Sequence, residues 1–355
     1  MKKILVIQQK MIGDVLLSSL ICENIKQSNP EYIVHYLVNG NTLPVLENNP
    51  YIDKIIVFNE LVDAKFLNLI KFSKKLNTEH YDVVIDAYSK LQSWVISYLN
   101  KAPVKISYKK IGRTFIYTNN IKKHETPNST LGLAIEHRLS LLEPLKIKPL
   151  KEFPSLYVTE KEKQETQDLF RAHNILNNKK TVMISLIGSD KTKTYPLKYM
   201  TEIVNYIGDN FDVNILFNYF PKQLNQALEV YNNCTEQTKN KITFELFGKD
   251  LRSYIAIMNQ CDLIVGNDGG AINMAKALDK PSFIIFSPWI EKKIWATFED
   301  GKKHISVHLN DYNPELFIGK KTKELKNNHN GLYTLFKPEL LLKKLHIFLE
   351  GQINN

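Results

Sequence analysis

Residues 3–20 read KILVIQQKMIGDVLLSSL, and this stretch decides the fold. Ile4 to Ile7 form an apolar run with no polar alternation, as expected of a parallel strand covered by helices on both sides. A short polar turn follows, and Gly13-Asp14 then opens a helix carrying Val15, Leu16, Leu17 and Leu20. Strand, turn and helix in that order make the first part of a βαβ unit.

The same alternation continues along the chain and predicts strands at 3–7, 32–38, 54–58 and 82–87, with helices near 14–28, 64–77, 89–100 and 129–143. A second series follows, with strands at 181–186, 213–217, 262–265 and 282–286 and helices near 197–208, 221–233, 250–260 and 270–278. The segment 146–165 between them carries Pro149, Pro154 and a charge run, and reads as the domain boundary. The length agrees, since 355 residues, 43% of them hydrophobic, exceed what one core usually accommodates. A last helix is expected at 338–349, after a polar stretch, KKTKELKNNHN at 320–330, that reads as an exposed loop. The expected fold class is α/β with two doubly wound, Rossmann-like domains facing a central cleft. Ligands of such sheets bind beyond the carboxyl ends of the strands, so the loops after strands are where chemistry is sought.

Several classes are excluded. Cys22, Cys234 and Cys261 are far apart with no C-x-x-C pair, which supports neither a disulfide framework nor a cysteine zinc site and fits a reducing cytoplasm. The apolar run after Lys2 and Lys3 is too short for a signal peptide, and no stretch reaches the length of a membrane span. The nine histidines show no H-E-x-x-H spacing, and no metal site is expected. The loop after the first strand has neither G-x-G-x-x-G nor G-K-[ST], which removes a dinucleotide fingerprint and a P-loop.

Three loops remain. In the first, Gly13 and Asp14 begin a helix; Asp14 reads either as a cap or first-turn carboxylate favoured by the helix dipole, or as a base that accepts a proton from an acceptor hydroxyl. In the second, Gly188, Ser189, Lys191 and Lys193 lie between the strand at 181–186 and a helix opening at Pro196. A lysine there can neutralise a departing diphosphate, or simply be solvated near a turn. In the third, GNDGGAIN places Asp268, Gly269, Gly270 and Ala271 between a strand and a helix start, where free N–H groups and the dipole favour a phosphate. A tight turn capped by Asp268 is the plainer reading.

These residues resemble the heptosyltransferase-like enzymes of glycosyltransferase family nine, which transfer ADP-activated heptose in lipopolysaccharide core assembly. The resemblance rests on KILVIQQKMIGDVLLSS, GSDKTKTYPLKYM and CDLIVGNDGGAINMAKALDKP, in that order. It implies a GT-B fold, with an acceptor domain over 1–155, a nucleotide-sugar domain over 156–335 and a helix at 336–355 crossing back to the first. It also implies inverting, metal-independent transfer from a nucleotide diphosphate sugar, ADP-heptose, with no bound cofactor. Asp14 matches the family's catalytic base, Lys193 its phosphate-holding lysine before the aromatic-proline pair, and Asp268-Gly269-Gly270 its donor-binding D-[ST]-G segment. The chain departs from the family in carrying Gly269 for Ser or Thr, and Ala271 and Asn273 where Pro and His are common. A nucleotide-sugar epimerase or hydrolase of the same fold and a non-catalytic glycan-binding homologue stand as alternatives.

The net charge of +10 is uneven. Residues 1–150 carry 20 basic and 13 acidic side chains, and the excess is matched by seven cations between Lys101 and Lys123 with no acid among them. Such a run reads as a solvated loop, a nucleic-acid patch, or a surface for an acidic glycolipid acceptor and the anionic inner leaflet. With this fold the last is expected, together with a cytoplasmic, peripheral membrane location and no nucleic-acid partner.

Overall fold

The structure, a computed structural model, describes residues 2–175 and 178–354. The chain divides into two compact units, Met1–Tyr157 and Val158–Asn355.

In the first unit, strands β1 (Lys3–Ile7), β2 (Ile33–Asn39), β3 (Lys54–Phe58), β4 (Val83–Asp86), β5 (Val104–Tyr108) and β6 (Asn119–Ile121) form one sheet in the order β3-β2-β1-β4-β5-β6. Every pairing is parallel, with Ile7 opposite Leu37 on one side and Asp86 on the other. Helices α1 (Ile12–Ser28), α2 (Glu60–Asp63), α3 (Phe66–Leu76), α4 (Leu91–Leu99) and α5 (Leu133–Ser140) complete it. α3 and α4 pack side by side, and a core of Leu5, Ile7, Leu69, Val84 and Ile96 lies under them. α1 packs against α5 and is buried from Val15 through Ile25, which explains why its sequence shows little amphipathic contrast.

The second unit holds β7 (Thr181–Ser185), β8 (Asn214–Asn218), β9 (Leu263–Asn267), β10 (Ser282–Ile285) and β11 (His304–Val307), all parallel, in the order β11-β10-β9-β7-β8. Around this sheet run α6 (Glu160–Ala172), α7 (Leu197–Asn210), α8 (Leu224–Asn232), α9 (Glu236–Lys239), α10 (Leu251–Gln260), α11 (Gly270–Ala277), α12 (Lys292–Trp295), α13 (Thr322–Asn327), α14 (His329–Leu335) and α15 (Glu339–Ile353). In each sheet the strand order reverses at one place, between β1 and β4 and between β7 and β9. The chain leaves the sheet in opposite directions there, which opens a crevice at the carboxyl edge. The loop before Asp14 and the loops at 186–196 and 267–270 all follow strands that flank these two points.

Three expectations need correction. β5, β6 and β11 escaped the pattern because VKISY, NNI and HISV are short edge or near-edge segments with too few apolar residues to signal a strand. The expected linker 146–165 ends early, because Thr159 caps α6 and Glu162 returns the bond in a capping box. The stretch read as a loop at 320–330 contains α13 and the start of α14. The last helix buries Leu341, Leu345, Phe348 and Leu349 in the second unit's core, where Phe348 meets Phe283 at 5.7 Å between ring centroids.

One buried charge in the first unit has a measurable consequence. Glu23 on α1 is fully buried, and burial pushes its carboxyl up to about 7 against the opposing pull of the Lys151 ammonium. A raised carboxyl pKa means the unfolded chain releases its proton first, so stability falls as pH rises from the ordinary carboxyl range through about 7. Glu23→Gln should flatten that loss and be the more stable protein at pH 8, by up to about 3 kcal/mol, in urea unfolding followed across pH.

Candidate functional site

In the first unit, Met11 occupies the cap position of α1 and makes no side-chain cap, while Gly13 and Asp14 sit in the first turn. Asp14 is therefore not spent on capping. Its Oδ1 accepts a hydrogen bond from Arg138 of α5 at 2.5 Å. Arg138 is buried and is held by two further bonds, from Nε to the Ser18 hydroxyl at 2.8 Å and from NH1 to the Ala134 carbonyl at 2.5 Å. A guanidinium anchored in this way fixes the carboxylate's direction. The other oxygen, Oδ2, has no hydrogen-bond partner among the described residues, and the side chain keeps about a quarter of its surface open. This is a carboxylate oriented through one oxygen and available through the other.

Asp86, at the end of β4, is the neighbouring carboxyl at the same crevice. It is fully buried, accepts from the Tyr117 hydroxyl at 2.5 Å and the Ser89 N–H at 2.7 Å, and burial pushes its pKa up despite those bonds. With its oxygens engaged, it holds the β4 turn rather than facing solvent.

In the second unit, one side chain joins the two glycine-containing loops. Asn267 closes β9 and is buried. Its Oδ1 accepts the Tyr195 N–H at 2.7 Å, and its Nδ2 donates to the carbonyls of Ser185 at 3.0 Å and Leu186 at 2.9 Å. The Ser185 hydroxyl returns a bond to the Asn267 carbonyl at 3.0 Å. Beside it Gly266 has φ +135°, and a Cβ there would lie 2.4 Å from the Ser185 carbonyl oxygen. Only glycine lets the two strand ends approach this closely.

The loop after β7 is fastened at one carbonyl. Thr192 O accepts from the Ser287 hydroxyl at 2.7 Å and the Trp289 indole N–H at 2.8 Å, both from the segment after β10. Asp190 caps the short 3-10 turn Lys191–Lys193, and Gly188 lies so close to Lys193 that a Cβ would meet its carbonyl oxygen at 2.3 Å. Ser189 and Lys191 are exposed on this turn. Lys193 lies over the Trp289 ring at 5.7 Å, and Lys326 of α13 lies over the same ring at 4.6 Å. Although burial raises it, hydrogen bonds from Thr192 and the Lys193 and Lys326 charges hold the Asp190 carboxyl below its usual value.

At the third loop, Gly269 caps α11, with Gly270 and Ala271 in its first turn; Asp268 precedes the cap. The first N–H groups of such a helix have no partner within it. A Cβ at Gly269 would meet nothing within 4 Å, so the space above this backbone is open. Beneath it Lys276 is buried with its ammonium 2.5 Å from the Thr297 carbonyl; burial pushes its pKa down to about 8, while Asp268 and Glu299 oppose the shift.

The expected residues thus fall into two groups, Gly13 and Asp14 in the first unit, and Ser189, Lys191, Lys193 and 268–271 in the second. Arg138, Asn267, Trp289 and Lys326 were not singled out from sequence. Asn267 lay inside the quoted motif, but Arg138 and Lys326 are single cations in ordinary helical stretches and carry no local signal.

The model of the family described as glycosyltransferase family 9 (heptosyltransferase) matches residues 69–325. The chain belongs to glycosyltransferase family 9. The matched stretch includes the loops around Lys193 and Asp268 and the partner Arg138, while Asp14 lies before it. Lipopolysaccharide heptosyltransferase 1 of Campylobacter coli is 25% identical over 294 residues, covering 80% of this chain and 83% of its own. In fold, this glycosyltransferase is similar to a family 9 glycosyl transferase from Veillonella parvula, with TM-score 0.76 at 18% identity over 98% of this chain and 97% of that one. It is likewise similar to the Escherichia coli ADP-heptose lipopolysaccharide heptosyltransferase II, with TM-score 0.68 at 16% identity over 94% and 99%. The two parallel α/β units are those of the GT-B fold. In family 9 terms the Gly269 departure removes a hydroxyl without changing the backbone, because the space is open and no left-handed φ is needed.

Replacing Asn267 with Leu would leave the backbone groups of Ser185, Leu186 and Tyr195, at the end of β7 and in the loop after it, unpaired, each costing on the order of 1–3 kcal/mol. Asn267→Leu should lower unfolding stability by about 3 kcal/mol or more in urea titration. Asn218→Leu at the end of β8, which leaves this clamp intact, should cost less.

Proposed function

We propose that this glycosyltransferase moves heptose from ADP-heptose to an acceptor hydroxyl of a lipopolysaccharide core, inverting the anomeric centre without a metal ion. The observation that carries the reading is the oriented carboxylate of Asp14, one oxygen bound by Arg138 and the other open. Family membership supports the transfer of heptose. The names of the relatives, lipopolysaccharide heptosyltransferase 1 and an ADP-heptose enzyme, support the donor and acceptor classes.

In this reading the acceptor hydroxyl gives its proton to Asp14 Oδ2 as its oxygen forms the bond to the anomeric carbon. The bond from that carbon to the diphosphate breaks at the same time, and ADP leaves with the electron pair. Attack from the face opposite the leaving group inverts the centre. Lys193 and Lys326, gathered on Trp289, neutralise the growing charge, and the first N–H groups of α11 bind a phosphate oxygen. Arg138 stays charged throughout and keeps the protonated Asp14 from turning away.

The test is a transfer assay with ADP-heptose and a lipopolysaccharide core lacking heptose. Asp14→Asn should lower kcat by roughly a hundredfold or more while the melting temperature holds. Near wild-type transfer by the folded variant would overturn the base assignment. Lys193→Ala should weaken ADP binding and lower kcat together, seen as a smaller thermal shift with ADP than the parent shows. Transfer should be unchanged by EDTA, and ADP should raise the melting temperature more than UDP, GDP or CMP. A rate restored only by a divalent cation would remove metal independence.

A further inference from the structure

Among the described residues one lysine alone is buried, and the transfer chemistry leaves it unused. Lys276, on α11, keeps 4% of its surface exposed and lies in a run that also buries Ile272, Met274 and Ala275. Both hydrogen bonds from its ammonium go to Thr297, to the carbonyl oxygen at 2.5 Å and to the hydroxyl at 3.2 Å. The Phe298 ring lies 6.0 Å away. These partners are neutral, and a cation buried against neutral groups costs stability, so packing does not account for the residue. Lys276 follows Gly270 by about 9 Å of helix rise, and a long helical side chain leans back toward the N-terminal turn. Asp268, just before that turn, accordingly does most to favour the charged form of Lys276, ahead of Glu299 and Asp300 on the segment after α12.

We infer that Lys276 is a positioning residue for the donor, a buried cation whose field offsets the Asp268 carboxylate and draws the diphosphate onto the first N–H groups of α11. The inference rests on the donor reading given above. A diphosphate on that helix start stands beside Asp268, and like charges on one loop repel. The α11 N–H groups carry only partial charge, and Lys193 and Lys326 stand on the face of Trp289, at the other loop. A full charge beneath the turn acts through protein rather than water, where the same separation is worth several times more. Protonation separates this role from that of a simple tie, because a neutral amine would keep its bonds to Thr297 and lose the field. Burial pushes the Lys276 pKa down to about 8, so the proton is present at neutral pH and lost just above it. His304, at the start of β11, is pushed down to about 4 by burial and by the Lys276 charge and stays neutral over that range. Although burial raises it, N–H bonds from residues 302–304 hold the Asp300 carboxyl below its usual value. A diphosphate bound above Lys276 holds the proton more tightly, so by linkage its binding above neutral pH takes a proton from solvent.

The test is titration calorimetry of the full chain with ADP and with inorganic pyrophosphate at pH 7, 8 and 9, in buffers of different ionisation enthalpy. The parent should bind ADP about fivefold more weakly at pH 9 than at pH 7, and at pH 8 should take up about 0.4 proton per ADP bound. Lys276→Met should bind about tenfold more weakly than the parent at pH 7 and lose the proton uptake at pH 8. Equal affinity of Lys276→Met and the parent at pH 7, or proton uptake unchanged by the substitution, would overturn the inference. So would a parent that takes up no proton at pH 8, a result that decides the matter even where the variant fails to fold. No transfer is measured, so a wrong base or acceptor assignment leaves these readings untouched. A parent that binds pyrophosphate but not ADP would remove the proposed donor, while the comparison of parent and variant with pyrophosphate still decides for or against Lys276. A parent that binds neither would overturn the inference.

Discussion

The second unit depends on the buried amide of Asn267. A parallel sheet brings strand ends together at its carboxyl edge but does not by itself fix the loops beyond them. Asn267 does so with three hydrogen bonds to backbone groups of the loop after β7, while its own main chain runs into the loop before α11. One side chain thus sets the spacing between the lysine-bearing turn and the helix N-terminus. Amide geometry explains the residue type, since a donor and an acceptor on one planar group satisfy two carbonyls and an N–H at once. Gly266 makes the approach feasible, because any Cβ would strike Ser185.

The first unit solves a simpler problem with longer reach. A carboxylate in the first turn of a helix is favoured by the dipole but free to rotate. Arg138, buried and held by Ser18 and the Ala134 carbonyl, removes that freedom. The two units thus use the same device, a polar side chain buried by one element and spent on orienting another. In both, the oriented group lies where the strand order reverses.

Much of this was legible in the residues. Unbroken apolar runs such as ILVI and FIIF announced strands covered on both faces, and Gly13-Asp14, Gly188 and Gly269-Gly270 marked loops after strands. The failures have physical causes. NNI is a strand only because β5 lends it partners, so its own composition could not show it. KKTKELKNNHN holds one apolar residue, Leu325, yet α13 and the start of α14 form there because Leu325 packs against the second unit's core and Leu332 and Tyr333, just beyond it, are buried in that core.

What the sequence alone determined was the α/β class, the two-unit division, and the loops that follow strands, all of which rest on local periodicity and on glycine. What only tertiary structure decided was partnership. Asp14 meets Arg138 across 124 positions, Asn267 meets Tyr195 across 72, and Lys326 joins Lys193 on the face of Trp289. Strand order creates such pairs, and a single polar residue in a helix carries no mark of the distant group it will bind.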